Sequence, residues 1–121
     1  MTESFIIPYH NRKQWAHDYG LNKYWAGTHW SKRKQDAEYW HNLVRAEMNA
    51  QKVRRYPFEN PVIITMYFND RLDSINHAAV FKMVEDALKG RVINDDSRRC
   101  VRGSEIYFHE ENYIRVVIRE V

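Results

Sequence analysis

The sequence has few of the residues that mark disulfide-rich, fibrous or membrane-spanning proteins. Of its 121 residues, one is cysteine, four are glycine and three are proline. A single cysteine excludes an internal disulfide framework and a cysteine-rich zinc site. The purely apolar runs are only a few residues long, so no segment approaches a membrane span or a secretion signal. We therefore expect a cytoplasmic protein with no membrane partner.

The residues that are present have the balance of an ordinary globular domain. Hydrophobic residues make up 44% of the chain and charged residues 29%, which argues against disorder. The length predicts one domain over residues 1–121. A net charge of +3 and a pI of about 9.0 are compatible with a polyanionic partner without requiring one.

The first half of the chain is predicted to hold a strand, a loop and a long helix. Ser4–Tyr9 is typical of a short strand, and His10–Trp30 is predicted to be a polar, aromatic loop. Ser31 is the expected N-cap of a helix from Lys32 to Val53. Its core-facing residues, by helical spacing, are expected to be Tyr39, Leu43, Ala46 and Ala50.

The second half alternates strands with one helix. Val62–Phe68 is rich in β-branched and aromatic residues and predicts a strand. Asp73–Lys89 predicts a helix that Gly90 ends. Cys100–Phe108 and Tyr113–Val121 alternate in polarity and are predicted to pair as a hairpin. The expected fold is α+β, with two helices packed on a small mixed sheet of about four strands.

Acidic residues flank the second predicted helix. Asp73 stands at its start, Lys82 and Asp86 lie on it, and Asp95 and Asp96 follow it. Hydrolysis of a phosphodiester needs an activated water and stabilised charge on the phosphoryl group, and carboxylate-bound magnesium serves both needs. The same residues have structural interpretations. Asp73 can cap the helix, residues 94–97 are ordinary turn residues, and Lys82 can pair with Asp86 on a solvated face.

The stretch LDSINHAAVFKMVEDALKGRVINDDS, residues 72–97, resembles the RusA-like Holliday-junction resolvases. That family carries an Asp-x-Asp-Asn segment, a later Lys, an Asp-Ala-Leu or Asp-Gly-Leu, and an Asp-Asp pair. Residues 21–40 (LNKYWAGTHWSKRKQDAEYW) and the final YIRVVIREV are also similar, so the resemblance covers nearly the whole chain.

The resemblance implies a RusA-like fold and a homodimer that cuts four-way DNA junctions with Mg²⁺, in a bacterial or phage-infected cell. It implies catalytic roles for Asp73, Lys82 and Asp96, with metal ligands among Asp73, Asp86, Asp95 and Asp96. Asn76 matches the family's Asn and, like His77, is a supporting candidate. Ile75 departs from the pattern, because the family has its second Asp there.

A basic and aromatic segment is predicted to contact DNA. Phosphate contacts by basic side chains give salt-dependent affinity, and aromatic rings can stack on unpaired bases. The candidates are Lys23, Trp30, Lys32, Arg33 and Lys34, together with Arg98 and Arg99 beside the Asp-Asp pair. Two other functions stay open, namely a junction-binding protein without cleavage and a single-strand nucleic-acid-binding module.

Overall fold

The computed structural model describes residues 1–21, 23 and 30–121. This part of the chain contains four strands, three α-helices and one 3₁₀ helix. In chain order these are β1 (Thr2–Pro8), α1 (Arg12–Tyr19), α2 (Trp30–Ala50), β2 (Val62–Phe68), the 3₁₀ helix (Ser74–His77), α3 (Ala78–Leu88), β3 (Val101–Phe108) and β4 (Tyr113–Glu120). The predicted α+β class and four-stranded mixed sheet are confirmed, and a third helix is added.

The sheet has the strand order β1-β4-β2-β3. β4 is antiparallel to both of its neighbours, whereas β2 and β3 are parallel. The predicted hairpin between the last two strands is therefore wrong, because β4 inserts between β1 and β2. Parallel β2 and β3 require a crossover connection, and α3 supplies it.

The core joins alternate residues of the strands to the apolar sides of the helices. In β2 and β4 it takes Val62, Ile64, Met66, Phe68, Ile114, Val116 and Ile118. α3 buries six of its eleven residues and is the most strongly amphipathic of the described helices. No described helix is long and apolar enough to cross a membrane.

Two helix predictions need correction. The predicted loop contains α1, whose Trp15 packs edge-on against Tyr9 and Trp40 with ring centroids 5.4 and 6.4 Å apart. α2 begins at Trp30, so Ser31 lies inside the helix and does not cap it. The buried side of α2 consists of Asp36, Trp40, Val44 and Met48. Of the predicted side, Leu43 is partly buried against the core, whereas Tyr39, Ala46 and Ala50 are exposed.

Two arginines fix the ends of α2 and α3 against each other. Arg45 of α2 donates to the carbonyl oxygens of Ala87, at 2.7 Å, and of Lys89 at the end of α3. The buried Arg91 donates to the carbonyl oxygens of Met48 and Val53, at 3.2 and 2.6 Å, where α2 ends. Because the last carbonyls of a helix lack partners within it, these bonds satisfy both ends.

Candidate active site

Two lysines and two aspartates meet beside the carboxyl end of α3. Lys82 Nζ donates to Asp86 Oδ1 at 2.7 Å and to Asp96 Oδ2 at 2.8 Å. Lys89 Nζ lies 3.1 Å from the same oxygen of Asp86 and 3.0 Å from that of Asp96. Each ammonium therefore contacts both carboxylates. We call these four residues the Lys–Asp cluster.

Helix spacing and a tight turn bring the four residues together. Lys82, Asp86 and Lys89 are four and three residues apart, which places them on one side of α3. The chain then reverses at Gly90, whose φ of 77° is in the left-handed region that glycine adopts without strain. A bond from Gly90 N to the oxygen of Ile93, 2.7 Å long, closes this turn. Asp96 is thereby returned to the side of the helix.

The contacts fix the charge states of the cluster. Hydrogen bonds from Lys82 and then Lys89 lower the pKa of Asp96 to about 2. Hydrogen bonds to the two carboxylates raise the pKa of both lysines. Asp96 and both lysines are consequently charged at neutral pH. The side chain of Lys82 is 58% exposed and that of Asp96 is 30% exposed, so solutes can reach them.

An adjacent cleft adds a residue that the sequence did not single out. The cleft has a volume of about 240 Å³, and its lining includes Lys82, Glu85 and Ile75. Burial is the main cause that raises the pKa of Glu85, and Asp96 and Asp86 add to it. Ile75 is 67% exposed here. Glu85 and Lys89 both follow from helical spacing with Lys82, which is the signal that could have identified them.

None of the described contacts joins Asp73 to the Lys–Asp cluster, and Asp73 does not line the adjacent cleft. It occupies the N-cap position of the 3₁₀ helix, where its side chain is exposed and makes no capping hydrogen bond. The carbonyl oxygen of Asp73 accepts a bond from Asn76 N at 3.0 Å. The predicted capping bond is therefore absent, and the carboxylate points to solvent without a described partner.

Asp95 is held in a turn. Its Oδ1 accepts a hydrogen bond from Ser97 N at 2.8 Å, and hydrogen bonds from Ser97 lower its pKa. This is the turn geometry that an Asp two residues before its partner favours. The two aspartates therefore have different contacts. Asp95 accepts a hydrogen bond within the turn, and Asp96 contacts the lysines.

His77 is buried and has no free ring nitrogen. Nδ1 donates to the carbonyl oxygen of Ser74 at 2.9 Å, and Nε2 lies 2.8 Å from Asp70 Oδ1. The other oxygen of Asp70 accepts from the hydroxyl of Tyr9 at 2.9 Å. The side chains of Asp70 and His77 are both 0% exposed. His77 therefore fixes the bend before α3 and cannot bind a metal in this arrangement.

The candidate DNA contacts lie on two sides of the Lys–Asp cluster. Arg98 and Arg99 are exposed just after Asp96. On α2, Arg33 and Lys34 are exposed, while Lys32 Nζ donates to Asp36 at 2.8 Å. A groove of about 540 Å³ connects Lys34 with Asp86.

The remaining DNA candidates are only partly described. Lys23 Nζ lies 3.9 Å from Asp18 Oδ1. The side chain of Trp30 lies outside the described residues, as do residues 24–29 with their aromatic rings. Within this segment, the basic residues of α2 are therefore the ones whose position relative to the Lys–Asp cluster is described.

Within the described residues, no three His, Cys, Asp or Glu side chains form a metal-binding group. The nearest set of donors is the pair of oxygens from Asp86 and Asp96, which share both lysines. Mg²⁺ is commonly held by one or two carboxylates and several waters. Asp86 and Asp96 would therefore be the residues to hold a single Mg²⁺, in place of a lysine contact.

Comparisons with known proteins give no family for the chain. No protein-family model matches it, and no curated protein matches it.

Proposed function

We propose that the chain is a magnesium-dependent endonuclease that resolves Holliday junctions and other branched DNA. The observation that carries this proposal is the contact of Lys82 with both Asp86 and Asp96. The RusA-like resemblance assigns functional roles to these three residues. Asp96 is 14 residues from Lys82 in sequence, so the contact is a product of the fold.

The chain's own residues supply charge and position at this site. Asp96 and Asp86 would hold Mg²⁺, and the ion, when bound, supplies Lewis-acid stabilisation and an acidified water. Lys82 keeps its proton because its pKa is raised, so it offers a fixed positive charge to the phosphoryl oxygens. Preorganised charge of this kind is usually a large catalytic contribution.

Glu85 is the residue best suited to accept a proton. It is half-buried beside Lys82, and its raised pKa brings it closer to neutral pH than an ordinary carboxylate. A general base works best when its pKa approaches the working pH. Asp73 would approach the substrate from the adjacent 3₁₀ helix, where its carboxylate is exposed.

A junction-binding protein without cleavage is the second candidate. Two observations favour it: lysines occupy the carboxylate oxygens of the cluster, and the exposed Ile75 stands where the family has a metal-binding Asp. The implied homodimer and cytoplasmic location remain predictions for either function. A single-strand-binding module is the third candidate and would show no preference for branched DNA.

The test is nicking of a labelled synthetic four-way junction with and without Mg²⁺. The wild-type chain is compared with Asp96→Asn and with Glu110→Gln, an exposed acid in the turn between β3 and β4 that serves as control. We expect nicking that requires Mg²⁺, is lost in Asp96→Asn and is kept in the control. Tight junction binding without nicks would support the second candidate, and equal affinity for linear single strands would support the third.

A further inference from the structure

A small basic cleft lies at the carboxyl end of β2, apart from the Lys–Asp cluster. It has a volume of about 190 Å³ and is lined by Arg12, Asn69, Asp70 and Arg71. Arg12 begins α1, and Arg71 lies in the bend between β2 and the 3₁₀ helix. Two segments that are distant in sequence therefore bring two guanidinium groups to one opening.

The two guanidinium groups are available to a ligand. Both arginines are exposed, and neither forms an ion pair with any carboxylate of the described chain. Lys82 and Lys89 differ from these two arginines, because their ammonium groups contact Asp86 and Asp96. An unpaired arginine presents a planar set of donors that matches a phosphate or carboxylate group.

The acid in the lining keeps its carboxylate out of contact with solvent. The carboxylate of Asp70 is fully buried and accepts bonds from Tyr9 and His77 and from the amide of Leu72, at 2.8 to 2.9 Å. Asp70 therefore contributes its main chain to the cleft. The same bonds hold the bend that carries Arg71, so the cleft is formed before a ligand arrives.

The amino end of α1 strengthens the positive potential. The first amides of a helix lack partners within it and attract anions. Arg12 lies in this first turn, and Trp15 N donates to Asn11 O at 2.8 Å to begin the helix. Asn69 is fixed beside it, because its Nδ2 donates to the oxygen of Glu111 at 3.1 Å.

We infer that this cleft binds a phosphate group through Arg12 and Arg71. Under the proposed function the group would belong to the DNA backbone, two residues along the chain from Asp73. A free phosphate or a nucleotide would offer the same chemistry. The inference concerns binding alone, so it can succeed or fail independently of cleavage.

The experiment measures binding of a fluorescent four-way junction by anisotropy over a range of salt concentrations, with EDTA and no Mg²⁺. Inorganic phosphate is titrated separately while the amide NMR signals of the cleft are followed. The variants are Arg12→Gln/Arg71→Gln, the charge-conserving Arg71→Lys, and the control Arg55→Gln. Arg55 is an exposed arginine before the opposite end of β2.

We expect the double variant to weaken junction binding about tenfold and to reduce the salt slope by about one, the value for one lost phosphate contact. Arg71→Lys should retain most of the slope, and Arg55→Gln should bind like the wild type. Phosphate-induced shifts in the cleft with unchanged DNA binding would support a small phosphate ligand. The inference would be overturned if phosphate caused no shifts in the cleft and the double variant bound the junction as tightly as the wild type. If the wild-type chain bound the junction without nicking it, only the proposed nuclease activity would be overturned.

Discussion

Replacing His77 with alanine should destabilise the fold far more than removal of an ordinary histidine. His77 and Asp70 are both fully buried, and Nε2 of the imidazole lies 2.8 Å from Oδ1 of that carboxylate. Removing one partner of a buried hydrogen bond leaves the other group unsatisfied, which costs about 1–3 kcal/mol and more where that group is charged. The imidazole also stacks on Phe68, with ring centroids 4.1 Å apart. Such a pair adds about 0.5–1.5 kcal/mol.

The remaining partners of Asp70 limit the loss, because it keeps hydrogen bonds from Leu72 N and Tyr9. We therefore expect His77→Ala to lower the free energy of unfolding by about 3 kcal/mol. Domains of this size are stable by about 5–15 kcal/mol, so the variant should remain folded with a melting temperature lower by about 12 °C.

Urea denaturation followed by tryptophan fluorescence measures this effect, since the midpoint should fall while the slope stays constant. The control is His10→Ala, because His10 is exposed and its loss should change stability by less than about 0.5 kcal/mol. Asp70→Asn and the double variant complete a mutant cycle, in which the pair should show strong coupling. A loss below about 1 kcal/mol for His77→Ala, or additive effects in the cycle, would refute the argument from the buried His77–Asp70 contact.

Two further predictions concern the Lys–Asp cluster. The carboxyl carbon of Asp96 should titrate in NMR with a midpoint near pH 2, below its ordinary 3.8, and Lys82→Met should move the midpoint up. Because this pKa is depressed, the pairing stabilises the fold above about pH 4 and the stabilisation is lost as pH falls through 2; a wild-type midpoint near 4 would contradict it. Lys89→Met should raise Mg²⁺ affinity several-fold in calorimetry, since it frees one contact on each carboxylate, whereas Lys34→Met should not. Equal affinity for wild type and Lys89→Met would show that the lysine does not compete with the metal.

The local patterns predicted the bounds of the strands well, but they did not predict all of the pairs of strands that are neighbours in the sheet. Val62–Phe68 has the predicted bounds because its β-branched residues are buried in a central strand. The hairpin failed for a different reason. Alternation along Tyr113–Glu120 reports which side chains are buried, and it carries no information about which strands lie on either side. The insertion of β4 between β1 and β2 depends on contacts distant in sequence.

The helices show how packing overrides local preference. The sequence of α1 is polar and only weakly amphipathic, so its pattern predicted a loop. The helix forms where Trp15 packs among Tyr9, Trp40 and Phe68, and these partners come from three other parts of the chain. On α2, the buried side begins with a polar residue, Asp36. A search for apolar residues at helical spacing therefore does not identify this side.

The convergence of Lys82, Asp86 and Asp96 could be anticipated only in part. The spacing of Lys82 and Asp86 predicts their contact on a helix. The return of Asp96 depends on the reversal at Gly90, which a sequence indicates only as the end of a helix. Lys89 was overlooked because it lies in that final turn, although it continues the same helical side.

The exposure of Ile75 shows whether packing requires an apolar residue at the position where the RusA-like pattern has an aspartate. Its side chain is 67% exposed at the cleft that includes Lys82, so the core does not require an isoleucine there. Substitutions at such exposed positions usually change stability by no more than about 0.5 kcal/mol. An aspartate at position 75 would therefore be compatible with this fold, and its negative charge would stand near Lys82. Packing therefore does not require the isoleucine at the position where the RusA-like pattern has an aspartate.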